Sequence, residues 1–113
     1  MSSQTYLLFR LDKERKEEKE RLRLEILDLT KKESVSIFQY FHVQEVYIVG
    51  SLVIPNKFSN HSDIDFAVRG LRSEDYFPLL ARLIEKLPRP VELIELEQCQ
   101  FADKLVQSGI RII

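Results

Sequence analysis

Two aspartates one residue apart, Asp63 and Asp65, are the feature of this 113-residue chain most able to do chemistry. They lie in Ser62-Asp63-Ile64-Asp65-Phe66-Ala67-Val68. Read as a strand, this segment puts both carboxylates on one face and turns Ile64, Phe66 and Val68 to the other, into a core. Like charges on one strand face repel, and Asp is a poor strand former. A divalent cation relieves the arrangement: Mg²⁺ takes hard oxygen ligands and is usually held by one or two carboxylates plus substrate phosphates. Just upstream, Val46-Tyr47-Ile48-Val49 reads as a buried strand that stops at Gly50-Ser51. A glycine there lets the backbone approach a phosphate closely, and free N–H groups with the Ser51 hydroxyl can cradle an anion. The plain alternative is a Gly-Ser turn followed by a solvent-facing acidic pair. The two features in succession favour the phosphate-and-metal reading.

The elements that must position these residues are a small sheet and the helices around it. Strands are expected at about 45–50, 62–69 and 90–96, the last being Val91-Glu92-Leu93-Ile94-Glu95-Leu96. Glu92 and Glu95 fall on opposite faces of that strand, so both cannot serve one site. The polar segment 52–62, with Pro55, Asn56, Ser59 and Asn60, reads as a loop. Its only cation, Lys57, is weighed as a group reaching toward a triphosphate against a solvent-facing loop lysine, the commoner case. His61 abuts the acidic motif and is weighed as a ligand against a plain loop residue. A helix is expected to start at Ser73 or Asp75, because Pro78 suits only a first turn. Tyr76, Leu80, Leu83, Ile84 and Leu87 form its apolar stripe, and Pro88 and Pro90 end it. A last helix, 98–108, buries Phe101, Ala102 and Leu105 and stops at Gly109. The apolar tail 110–113 reads as a short closing strand.

The N-terminal part has a different character. Tyr6-Leu7-Leu8-Phe9 is an apolar patch that fits an edge strand, a helix start or a frayed end. From Asp12 to Arg23, eleven of twelve residues are charged, with mixed signs. Glu, Lys and Arg favour helix, so a long solvated helix is expected, with Leu22, Ile26 and Leu29 on one stripe. Thr30 and Ser34 are candidate break or cap points, and Ser34 would cap a second helix burying Ile37, Phe38 and Phe41. His42 would cap or flank the end of that helix. This divides the chain into a helical extension, 1–33, and a compact domain, 34–113. A coiled-coil arm over 12–29 is a weaker reading, because its apolar repeat is short.

Bulk properties narrow the classes. The net charge of −1 gives no electrostatic case for nucleic acid as the main partner. The single cysteine, Cys99, allows no internal disulfide and reads as a packing residue. No apolar run approaches the ~20 residues that span a bilayer, and no basic segment followed by a long apolar stretch opens the chain. The expectation is a cytoplasmic protein with no membrane contact.

Gly-Ser, eleven residues, then Asp-Ile-Asp between apolar positions resembles the signature of the DNA polymerase β-type nucleotidyltransferase superfamily. SDIDFAVRGL, RPVELIEL and FADKLVQSGIRII resemble the minimal nucleotidyltransferases, small proteins often found as antitoxin partners of HEPN-domain toxins. The likeness covers residues 35–113. It implies an α+β fold: a small mixed sheet with helices packed on one face, preceded by the long charged helix. It implies ATP as substrate and two Mg²⁺ ions. Asp63, Asp65 and Glu92 would be catalytic and metal-holding. Gly50, Ser51, Ser62 and Lys57 would bind the nucleotide. One metal would activate an attacking hydroxyl and the other would stabilise pyrophosphate. The chain has no room for a second substrate domain, so a docked protein acceptor, a HEPN-type toxin receiving AMP on tyrosine, is the implied partner. Homo- or hetero-oligomers are left open. Two departures stand out: Leu52-Val53-Ile54-Pro55 replaces the arginine and small residue that follow Gly-Ser in many relatives, and Glu92 stands where the family has aspartate. Both leave a second reading in view, an inert binding module of the same fold acting by contact alone.

Overall fold

A computed structural model describes residues 3–113; residues 1 and 2 of the extension lie outside the described residues. Four strands form one mixed sheet: β1 (Glu45–Val49), β2 (Ile64–Arg69), β3 (Val91–Glu95) and β4 (Ile110–Arg111), in the order β3-β2-β1-β4. β1 runs antiparallel to both β2 and β4, whereas β2 and β3 are parallel. Three helices complete the fold: α1 (Ser3–Tyr40), α2 (Tyr76–Lys86) and α3 (Ala102–Ser108). The expected α+β architecture, with its mixed sheet and long N-terminal helix, is what the chain adopts.

One face of the sheet carries Val46, Ile48, Ile64, Phe66, Val68 and Leu93, all buried with Ile37 and Phe38 of α1 and Leu79 and Leu83 of α2. The rings of Phe38 and Phe66 meet edge to face at 5.0 Å between centroids. The two longer helices thus share one face, as expected. α3 departs from that expectation. Ala102, Leu105 and Val106 pack against Tyr47, Val49, Ala67 and Leu96 on the opposite face, because those strand residues are themselves apolar and need cover.

No break occurs at Thr30 or Ser34. α1 runs through both without interruption. Thr30 Oγ1 donates to Ile26 O at 2.7 Å and Ser34 Oγ donates to Thr30 O at 2.5 Å. These bonds to the preceding turn let both hydroxyls be buried inside the helix instead of capping a new one. The buried stripe of α1 is accordingly Arg23, Ile26, Leu27, Thr30, Ser34, Ile37 and Phe38, while Leu29 stays exposed. The 6–9 patch is helical and exposed. His42 has a positive φ of 56°, and its N–H bonds to Gln39 O as the chain leaves the helix.

A short turn, Ser73–Asp75, precedes α2 and puts Pro78 at the third helical position, where its missing N–H costs nothing. The buried residues of α2 are Leu79 and Leu83, with Leu87 buried just past its end; Ile84, expected inside, is exposed. α3 is shorter than expected. Leu96–Gln98 forms a separate turn, and Phe101, expected to be buried, is 63% exposed. Gly109 closes α3 with its N–H on Leu105 O at 2.8 Å. A Cβ there would lie 2.9 Å from Val49 Cγ1, so the turn into β4 requires glycine for close packing.

Candidate active site

The antiparallel register sets Val49 opposite Asp65, so the end of β1 and the start of β2 meet at Gly50. Gly50 has φ +76°, a conformation that glycine alone enters freely. An ideal Cβ built on it would collide with Asp65 Oδ2. The glycine therefore does two things: it turns the chain from β1 into the Gly50–Val53 turn, and it leaves space over a carboxylate.

The parallel register sets Glu92 beside Asp65. Asp63 precedes β2 by one residue and lies exposed at its entrance. The acids act on one another. The Asp65 carboxyl is pushed up to about 6, first by burial, then by the charges of Glu92 and Asp63, and by a side-chain hydrogen bond with Glu92. Asp65 Oδ1 is buried with no donor among the described residues. A buried carboxylate oxygen without a partner costs free energy unless something binds it. The donor set fits a divalent cation: hard oxygens, excess negative charge, an unsatisfied oxygen and space at Gly50. Among the described residues no three His, Cys, Asp or Glu side chains already converge on one point.

The structure places the other expected site residues as follows. Ser51 is half-buried, and its C=O accepts from Ile54 N at 3.2 Å. Ser62 is tied into the loop, its Oγ accepting from Ser59 N at 2.9 Å. Lys57 is exposed in the turn after Pro55, with its main-chain N–H on Ile54 O. His61 is exposed, and its N–H bonds to Ser59 Oγ at 3.3 Å. Glu95 faces Val68 across the β2–β3 pair, on the opposite side from Glu92. Gly50, Asp63, Asp65 and Glu92 are thus brought together, and Lys57, Ser62 and His61 belong to the loop.

That loop is far more ordered than its polar composition implies, and residues not foreseen hold it. Leu52 and Phe58 are fully buried in the main core. Arg23 of α1 is 7% exposed and donates from Nη1 to Leu52 O at 3.0 Å. Glu20 pairs with Arg23 and accepts from Asn56 N at 2.9 Å. These two bonds hold the Glu20 carboxyl below its usual range. From the other side, Arg89 Nη1 donates to Ser59 O at 3.1 Å, and its guanidinium lies over the Phe58 ring at 5.1 Å. Arg23 was hidden in the sequence by the charge run around it. Arg89 was hidden between two prolines that read only as a helix stop.

Two solved structures are similar in fold. One is a crystal structure of a toxin-antitoxin with AMP-PNP, with a TM-score of 0.62 at 21% identity over 74% of this chain and 72% of that one. The other is a double aspartate-to-glutamate mutant of the toxin-antitoxin MntA-HpeT, with a TM-score of 0.60 at 19% identity over 74% and 71%. No curated protein matches the chain. The family model for polymerase β nucleotidyltransferases matches residues 32–113, the span that contains the whole sheet, the Gly50 turn and all three carboxylates. On that match the chain belongs to the polymerase β nucleotidyltransferase family.

Proposed function

We propose that this protein transfers AMP from ATP to a hydroxyl of a partner protein, with Mg²⁺, and that the partner is a toxin it neutralises. The observation that carries the reading is Asp65: a carboxylate half-buried beside two other acids, with one oxygen unpartnered, under a glycine that leaves room above it. Asp63, Asp65 and Glu92 would hold the metal, which would supply positive charge to offset that of the phosphates. The Gly50–Ser51 turn would take the β- and γ-phosphates. The acceptor oxygen attacks the α-phosphorus, the bond to pyrophosphate breaks, and Glu92 is the group we assign to take the hydroxyl proton. The chain's work is to position the reactants and present negative charge at one point.

The toxin partner rests on analogy with the two toxin-antitoxin structures of similar fold. The sequence likeness to the minimal nucleotidyltransferases supplies the finer proposal: a toxin of HEPN type, modified on a tyrosine, in a cytoplasmic setting. No described helix is long and apolar enough to cross a membrane. The alternative, an inert module that acts by contact, is favoured by one observation: Leu52, where many relatives have arginine, is fully buried in the core and offers no charge from that position.

Thermal unfolding separates the two. Mg-ATP at about a hundred times Kd should add ~2.7 kcal/mol of stability, a shift of several degrees. Asp63→Asn/Asp65→Asn should lose the shift and transfer no label from α-labelled ATP. No shift at millimolar Mg-ATP with the wild type sinks the enzyme reading and leaves the inert module.

A further inference from the structure

The N-terminal half of α1 has no job in the site. Residues 3–18 are exposed throughout, a rod of about 24 Å at 1.5 Å per residue. The molecule is correspondingly long, 61 × 29 × 18 Å. At the tip, Tyr6, Leu7, Leu8, Phe9 and Leu11 are 42–69% exposed, an apolar cluster without cover in the monomer.

The charges along this rod are self-complementary when the sequence is read against itself in reverse. About the Lys16–Glu17 bond, the mirrored pairs are Lys16/Glu17, Arg15/Glu18, Glu14/Lys19, Lys13/Glu20 and Asp12/Arg21. All five are of opposite sign, and the next pair outward is Leu11/Leu22. A parallel, in-register pair would instead set every charge against itself.

We infer that two copies of this chain pair through α1, antiparallel, about a two-fold axis at the Lys16–Glu17 bond. Helical periodicity selects which pairs meet. With Leu11, Arg15, Glu18 and Leu22 spaced four, three and four residues apart, they form one seam. In the mirrored register Leu11 lies on the second copy's Leu22 and Arg15 on its Glu18. The flanking positions then pair Asp12 with the second copy's Lys19 and Glu14 with its Arg21. Each contact occurs twice by symmetry. Every one of these named contacts is attractive or apolar, and the first like-signed pair outward, Arg10/Arg23, is off the seam, with Arg23 already buried against Leu52 O.

An independent feature of the surface agrees. A groove of about 510 Å³ runs along α1, lined by Arg15, Glu18, Lys19, Arg21, Leu22 and Glu25. Arg15, Glu18 and Leu22 are seam positions of this register, and Lys19 and Arg21 are flanking ones. Its far wall is Ser59 and Asn60. The second copy's residues 4–11 would lie beside this stretch and the turn of helix after it, so Leu7, Leu8 and Leu11 of each tip would face the other copy. The ion pairs already on the arm, such as Lys16–Asp12 and Arg21–Glu18, are exposed. Such pairs exchange at little cost.

Sedimentation equilibrium on the full chain tests this. The wild type should be a dimer that weakens with salt. Glu18→Arg places arginine against arginine twice and should weaken the dimer about tenfold or more. The swap Arg15→Glu/Glu18→Arg restores opposite signs and should restore the dimer. In a Cys99→Ser background, Leu11→Cys/Leu22→Cys should give a covalent dimer on mild oxidation, because within one helix those positions are too far apart to bond. Circular dichroism of each variant guards against misfolding. A wild type that stays monomeric at every concentration overturns the inference and leaves the arm to a different protein. So does a dimer indifferent to Glu18→Arg, or a swap that fails to rescue.

Discussion

Asp65 is a carboxylate whose position costs stability. Its ordinary value is 3.8, and in the fold it rises to about 6. A raised pKa in an acid means that the folded chain binds the proton better than the unfolded chain. The group therefore favours folding most below about pH 4, and that contribution is lost as pH rises to 6. Asp65→Asn should remove the slope between pH 4 and 6. It should also raise the unfolding free energy of the unliganded protein at pH 7.5 by about 1 kcal/mol, discounting the shift for a half-exposed group. Urea titrations at several pH values check this. A less stable Asn variant at pH 7.5 would mean that Asp65 is held by something other than its repulsive neighbours. Stability given up at one residue for charge density is what a binding site requires.

At the scale of elements, the loop between β1 and β2 is a strap fastened at both ends. Leu52 and Phe58 anchor it in the core, α1 holds its first half through Glu20 and Arg23, and Arg89 holds its second. Arg23→Met keeps the aliphatic stem but loses the bonds to Leu52 O and Glu20. We expect a cost of about 2 kcal/mol. Hydrogen exchange at Asn56 should speed up, since Glu20 would no longer be fixed to accept from it. Unchanged protection at Asn56 would show that the core anchors suffice. Because the strap carries Gly50 at one end and Asp63 at the other, nucleotide affinity should fall with its order.

At the scale of the whole molecule, α1 serves two territories. From Lys19 onward it is part of the domain; before that it touches little of the described chain. A chain starting at Lys19 should keep its fold and its nucleotide-dependent shift. The full chain's melting temperature should rise with protein concentration, and the truncated chain's should not. A truncation that unfolds at room temperature would show that the arm supports its own domain.

The sequence by itself determined most of the framework around the candidate site. Asp63 and Asp65 were legible as a same-face pair because alternation along a strand assigns faces without knowledge of the fold, whereas Glu92 entered only through the family resemblance. Gly50 was legible because a glycine ending an apolar run marks a turn. The three sheet strands, the closing strand and the long helix followed from periodicity and propensity. Tertiary structure alone decided the rest. That α1 passes Ser34 unbroken depends on hydroxyls bonding back into the helix, where local preference favours a cap. That α2 buries Leu79 and exposes Ile84 depends on where the sheet lies, since the apolar positions of that helix wrap too far round to choose a face. That Arg23 and Arg89 hold the strap depends on contacts 27 to 30 residues apart in the chain. Local pattern reports what a residue can do within a few positions of itself. Which partner it meets across the fold is settled by packing.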